Sequence, residues 1–218
     1  MSETVLQRMQ TLLARLYDAP VEHQIEDYLV DDRDQVAEYT GAECNTDEQV
    51  LLIESKEEIR VGVFIDSDVL SRLEHADPWA ALEQGNLQDY CTALEGVSHF
   101  HYLMWNLARK RSVSLLELEL QADVDKYASA LTLMTQQCAG VFPSSLHQRL
   151  FDQVGYLPEL SSEERRRYED ANRYAARFCR SLEERFLKRR RHRPEAWVAE
   201  LRRFFRQGHQ AKLREAAR

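Results

Sequence analysis

Along the first seventeen residues, apolar side chains return every three or four positions: Val5, Leu6, Met9, Leu12, Leu13 and Leu16. That period lets an α-helix bury one face, so residues 3–17 are predicted as an amphipathic helix closed by Pro20. The period then changes. Residues 49–54 (QVLLIE) form a short apolar run, and in 59–65 Ile59, Val61, Val63 and Ile65 alternate with Arg60, Gly62 and Phe64. A period of two is a strand signal, and the linker Ser55-Lys56-Glu57-Glu58 suits a turn, so 49–65 is predicted as a hairpin. A third strand is expected at Ile25–Val30 or at Val36–Tyr39. The result is a small antiparallel sheet of about two to three strands, with helices over one face.

Helical patterning returns after Ser67. Asp68–Leu73 is short and stops before Asp77-Pro78. Leu87–Lys110 follows, and its run 97–108 (VSHFHYLMWNLA) leaves hardly any polar face. A helix that is apolar all round belongs in the centre of a domain. Ser114 and Glu117 have the spacing of a capping box and open a helix over Leu115–Gln137. Gly140 and Pro143 break the chain, and a short helix over 144–154 starts at Ser144 or Ser145. Ser161 and Glu164 form a second capping box, opening a long helix to about Arg191. Beyond Pro194 a last helix covers Glu195–Arg206. These elements predict an α+β fold, predominantly α: a helical bundle with a small antiparallel sheet near the N-terminus.

Composition narrows the class. The chain has 218 residues and a formal net charge of −8. Its seven glycines include no G-x-G, G-x-x-x-x-G-K-[ST] or G-x-S-x-G arrangement, which removes dinucleotide folds, P-loops and nucleophile elbows. Cys44, Cys91, Cys138 and Cys179 lie far apart with no C-x-x-C, so they read as reduced, mostly buried thiols of a cytoplasmic protein. The N-terminus lacks a basic segment before an apolar stretch. No window approaches the roughly 18 apolar residues of a membrane span, so no membrane partner is expected.

Charge is segregated. Residues 161–218 hold 18 Lys/Arg against 9 Asp/Glu, while residues 1–160 hold 11 against 28. The chain thus divides into an acidic α+β core, 1–160, and basic C-terminal helices, 161–218, that pack on it. Tyr168, Ala171, Ala175, Phe178, Leu182 and Phe186 make an apolar stripe on the first of these helices, and Trp197, Val198, Leu201, Phe204 and Phe205 make another. The other face carries Arg165, Arg166, Arg167, Arg173, Arg177, Arg180, Lys188, Arg189, Arg190, Arg191 and Arg193, whose guanidinium forks match phosphate oxygens. Glu163, Glu164, Glu169, Asp170, Glu183 and Glu184 offer the same arginines internal partners.

The central helices hold polar residues where apolar ones dominate. Glu95 and His99 share a helix face, with His101 on a different one, and Glu117, Gln121 and Asp125 recur every four residues. Glu119 and Asp123 form a neighbouring acidic row. Glu95, His99, Glu117, Gln121 and Asp125 are therefore the candidate catalytic set. Bundle metal sites use Glu-x-x-His on two helices, and only Glu95-x-x-x-His99 occurs, so no metal ligands and no cofactor are assigned. Glu95 hydrogen-bonded to His99 is the structural alternative.

Three functions are compatible with this pattern. The first is a non-catalytic adaptor or assembly subunit that binds a protein partner or itself through its aromatic-rich terminal helices. The second is binding of nucleic acid or another polyanion through the arginine-rich arm. The third is a helical-bundle enzyme with a carboxylate/histidine site, with or without a metal.

Overall fold

Thr4 opens the first helix, α1 (Val5–Tyr17), through a reciprocal capping box with Gln7. Asp18, at φ 50°, closes it two residues before Pro20. These positions come from a computed structural model that describes residues 3–30, 32–41, 43–54, 59–82, 85–187 and 194–217. The expected turn at Ser55–Glu58 and the basic run Lys188–Arg193 lie outside the described residues.

A short 3-10 turn (Ile25–Tyr28) leads into β1 (Leu29–Val30). Next comes α2 (Arg33–Thr40), capped by the Asp32 carboxylate and ended by Gly41 at φ 71°. β2 (Glu48–Glu54) and β3 (Ile59–Ile65) pair antiparallel, with Val50 opposite Val63. β1 adds to the other edge of β3 in parallel, with Leu29 opposite Val63. The sheet order is β1-β3-β2. The sheet is therefore mixed rather than wholly antiparallel, because β1 arrives over a helical turn and not through a hairpin. The segment Val36–Tyr39 is helical: Asp32 caps it, and Val36 packs with Leu51 and Phe64.

β3 is buried on both faces. Val63 and Ile65 enter the main core, while Phe64 points the other way beneath α2. The remaining helices are α3 (Ser67–His75), α4 (Leu87–Leu107), α5 (Leu115–Gln137), α6 (Leu146–Phe151), α7 (Ser162–Leu182), α8 (Pro194–Arg206) and α9 (His209–Ala216). α4 is the central rod, buried around nearly its whole circumference. It packs on the sheet, α1, α3 and α5, while α5 also packs on α7. Gly96 sets how closely α4 approaches the sheet. A β-carbon there would lie 3.1 Å from Val63 Cγ1, 3.2 Å from Glu48 Cγ and 3.3 Å from Ile65 Cδ1.

α7 ends at Leu182, short of the expected Arg191, and one wider π turn (Glu183–Leu187) follows. That turn carries Glu183 inward, where Tyr127 donates to it at 2.9 Å. Phe178, Leu182, Trp197, Leu201, Phe204 and Phe205 are all buried. Phe178 stacks on Phe204, and Tyr17 stacks on Phe205 with centroids 4.3 Å apart. Arginines of α8 finish α1: Arg202 donates to the carbonyls of Leu16 and Arg15, and Arg206 to that of Asp18. Cationic donors at a helix C-terminus satisfy its open carbonyls. Among the described residues no helix is long and apolar enough to cross a membrane.

Candidate functional site

α5 presents polar groups on two faces, and they go to different places. Glu117, Gln121 and Asp125 turn into the interior. The Tyr102 hydroxyl donates to Glu117 at 2.6 Å. Asp125 accepts from Tyr17, from Ser98 at 2.6 Å and from Gln121 at 2.6 Å. Gln121 in turn accepts from Lys212 of α9, whose ammonium lies 4.1 Å from the Tyr102 ring centroid. Lys212 is fully buried, and burial pulls its pKa down to about 7 against the attraction of Glu117 and Asp125. Burial likewise raises Asp125. Every member of this network is satisfied by another part of the chain, so it acts as a polar seam joining α1, α4, α5 and α9.

Glu119, Asp123 and Lys126 occupy the other face of α5, at the floor of a cleft of about 540 Å³. The segment before β2 (Asn45–Glu48), α4, α6 with the chain after it, and Tyr168 and Asn172 of α7 complete the walls. His99 is only 7% exposed, and its Nδ1 lies 3.3 Å from Glu48 Oε1. Its Nε2 lies 3.5 Å from Glu119 Oε2 but makes no hydrogen bond. Burial opposes charge on this imidazole, yet the carboxylates of Glu119 and Glu48 outweigh it and hold the pKa well above the ordinary value. Burial raises the Glu48 carboxyl against the pull of His99. Lys126 sits 2.9 Å from Glu95 and 2.8 Å from Asp123. Burial would raise Glu95, but Lys126 holds it below the usual carboxylate range, whereas Asp123 stays raised by burial. Arg167 Nε stands 3.8 Å from Glu119 Oε1, also without a hydrogen bond.

The structure thus divides the five candidate residues. Glu95 lines the cleft with buried His99 within 4.8 Å of it, while Glu117, Gln121 and Asp125 belong to the buried seam. The expected Glu95–His99 hydrogen bond is replaced by Lys126 on Glu95 and Glu48 on His99, because the α4–sheet and α4–α5 contacts bring stronger partners to each. Glu119 and Asp123, the neighbouring acidic row, complete the floor instead. Sequence reasoning did not single out Glu48, Lys126 or Arg149 as site residues, and it read Arg167 as polyanion-facing. The available signal was two i,i+4 pairs, Glu95/His99 and Glu119/Asp123, with Lys126 one step further on.

On the arm, Arg165 donates to the Leu157 carbonyl, Arg173 pairs with Asp170 at 2.6 Å, and Arg180 reaches His147 at 3.1 Å. Arg166 projects into solvent 4.0 Å from Asp170, and Arg177 is exposed. Lys188, Arg189, Arg190, Arg191 and Arg193 lie outside the described residues.

A mostly helical α+β protein with a charged cleft between its central helices and its sheet edge is what these observations define. Comparison with known proteins finds no matching family model, no matching curated protein and no matching solved structure.

Proposed function

We propose that the protein is a small-molecule-binding protein whose cleft takes an organic acid with an apolar body, placing it over a floor of carboxylates and Lys126 with His99 buried behind them. The observation that carries this reading is Arg149. It lines the cleft, yet its guanidinium forms no hydrogen bond or ion pair with a described residue. Around the floor the four carboxylates Glu48, Glu95, Glu119 and Asp123 face three cations, His99, Lys126 and Arg167, each of which already stands beside one or two of them. Arg149 is then the cation left for a ligand, and a planar guanidinium suits a carboxylate. Leu150, Phe151, Tyr156 and Leu157 beside it offer apolar surface. Concave, mainly apolar sites with a few convergent charged groups are where small molecules bind.

The adaptor reading rested on aromatic-rich terminal helices. Their aromatics Phe178, Trp197, Phe204 and Phe205 are buried within the chain, so they are unavailable to a partner. The polyanion reading retains Arg166 and Arg177 as outward-facing cations, while Arg165, Arg173 and Arg180 hold partners within the chain.

The test is a ligand-observed NMR screen of small aliphatic and aromatic carboxylic acids, each beside its neutral amide. Acids should bind and their amides should not. Arg149→Gln should weaken binding at least about tenfold, as the loss of a charge-assisted hydrogen bond implies. Equal binding of acids and amides, or binding unchanged in Arg149→Gln, overturns the proposal.

A further inference from the structure

We infer that the inner end of the cleft is a binding site for one divalent transition-metal ion, of the Mn²⁺ or Zn²⁺ class, ligated by Glu95, His99 and Glu119. The inference deepens the organic-acid reading, since it rests on the same cleft and names what the floor contributes.

Each of the three residues offers one ligand atom, and these atoms all lie within 4.8 Å of one another. Donors around a common tetrahedral ion at about 2.0–2.2 Å stand about 3.3–3.6 Å apart, so the widest pair of the set draws in by about 1 Å on binding. Unpartnered His99 Nε2 is the second and independent observation. It is a buried ring nitrogen with no hydrogen bond, and it points at the Glu119 carboxylate. Their separation of 3.5 Å is close to that of two donors on one tetrahedral ion, so an ion seated beside the pair reaches both. Glu48 completes the arrangement at the other nitrogen, 3.3 Å from Nδ1. A metal-bound histidine commonly donates its second N–H to a carboxylate, which fixes the tautomer and turns Nε2 toward the ion.

Donor chemistry selects the ion. One imidazole and two carboxylates suit Mn²⁺, Fe²⁺ or Zn²⁺, while Mg²⁺ and Ca²⁺ want oxygen alone. Three protein ligands leave coordination positions open, and the open side faces the cleft, where the carboxylate of an organic acid would complete the sphere.

The charge balance is explicit. Without metal, a protonated His99 lies between Glu48 and Glu119, Lys126 holds Glu95 and Asp123, and Arg167 stands by Glu119. On binding, His99 Nε2 gives up its proton to solvent, Nδ1–H stays on Glu48, and the dication replaces that one positive charge with two, so that with Lys126 and Arg167 it balances the four carboxylates.

The experiment uses the full chain without a histidine tag, stripped with a chelator and titrated by calorimetry with Mn²⁺, Zn²⁺ and Mg²⁺ at neutral pH. One equivalent of Mn²⁺ or Zn²⁺ should bind, with no competition from millimolar Mg²⁺. Glu119→Gln and His99→Gln should each abolish stoichiometric binding. Glu48→Gln should keep the stoichiometry and weaken affinity about 10–100-fold. Because His99 is buried, circular dichroism confirms folding, and the isosteric Glu119→Gln decides the matter if His99→Gln unfolds. No stoichiometric metal, or metal retained by folded Glu119→Gln, overturns the inference. The organic-acid screen is run on stripped and loaded protein. Acid binding without metal binding defeats this inference alone, and metal binding without acid binding defeats the organic-acid reading alone.

Discussion

His99 and Lys212 are two buried bases with opposite energetics. The folded pKa of His99 lies above its ordinary value because Glu119 and Glu48 outweigh burial. Such a group stabilises the fold fully below about pH 6.5 and loses that contribution as pH rises through the folded value. His99→Gln should therefore cost more stability at pH 6 than at pH 9 in urea denaturation, and equal costs would show that the imidazole is not charged between the carboxylates. Lys212 is depressed to about 7 by burial. The unfolded chain then binds the extra proton between pH 7 and about 10.4, so the folded state gains stability as pH rises through that window. Replacing Lys212→Met removes the donor to Gln121 and the cation beside Glu117 and Asp125, so it should destabilise the protein, least at pH 7 and below and more toward pH 10. A stability difference flat across that range would refute the assignment. Neither role was legible locally. Lys212 sits in a charged C-terminal sequence that reads as surface, and His99 takes its partners from 51 residues before it and 20 after.

At the scale of elements, Gly96 is the hinge between sheet and site. It lets α4 approach Val63, Ile65 and Glu48 closely enough for Glu48 to reach His99. Gly96→Ala places a methyl into contacts of 3.1–3.3 Å. The gain in helix propensity is about 1 kcal/mol and the overpacking cost typically about 1–3 kcal/mol, so a net loss is expected by urea denaturation. The same change should weaken metal uptake by displacing Glu48. α5 illustrates what patterning reads well and badly. Ser114 and the break after Gln137 fix its ends, and the observed helix is Leu115–Gln137. Its phase is another matter. Rows 117/121/125 and 119/123 have the same spacing, and a helix buried on most sides has no polar face to orient it. Only the helices packed around it send one row to the seam and the other to the cleft.

For the molecule as a whole, the terminal helices are part of the core. Phe205 is fully buried, stacks on Tyr17 and meets Tyr102 and Trp105. Phe205→Ala should cost about 3–5 kcal/mol in chemical denaturation. The loss should appear in one transition reported equally by far-ultraviolet dichroism and by tryptophan fluorescence, because α8 and α1 share both apolar and arginine-to-carbonyl contacts. Two separated transitions would mean that the terminal helices fold apart from the rest. The positive arm and negative body are thus joined chiefly by buried apolar and aromatic surface, with charge pairs such as Arg167 to Glu119 at the margin.

By itself the sequence determined what depends on neighbours along the chain. Helical and strand periods, Ser114 and Ser161 caps, the β2–β3 hairpin and the stripe that buries α7 all rest on contacts within a few residues or on a repeating period. Tertiary structure alone decided what depends on distant partners. It set β1 parallel to β3, made 33–40 a helix beneath Phe64, and added α9 to carry Lys212 inward. It also parted Glu95 and His99 from Glu117, Gln121 and Asp125. The reason is physical: side-chain spacing along a helix fixes which residues share a face, but only the packing of surrounding elements fixes where that face points.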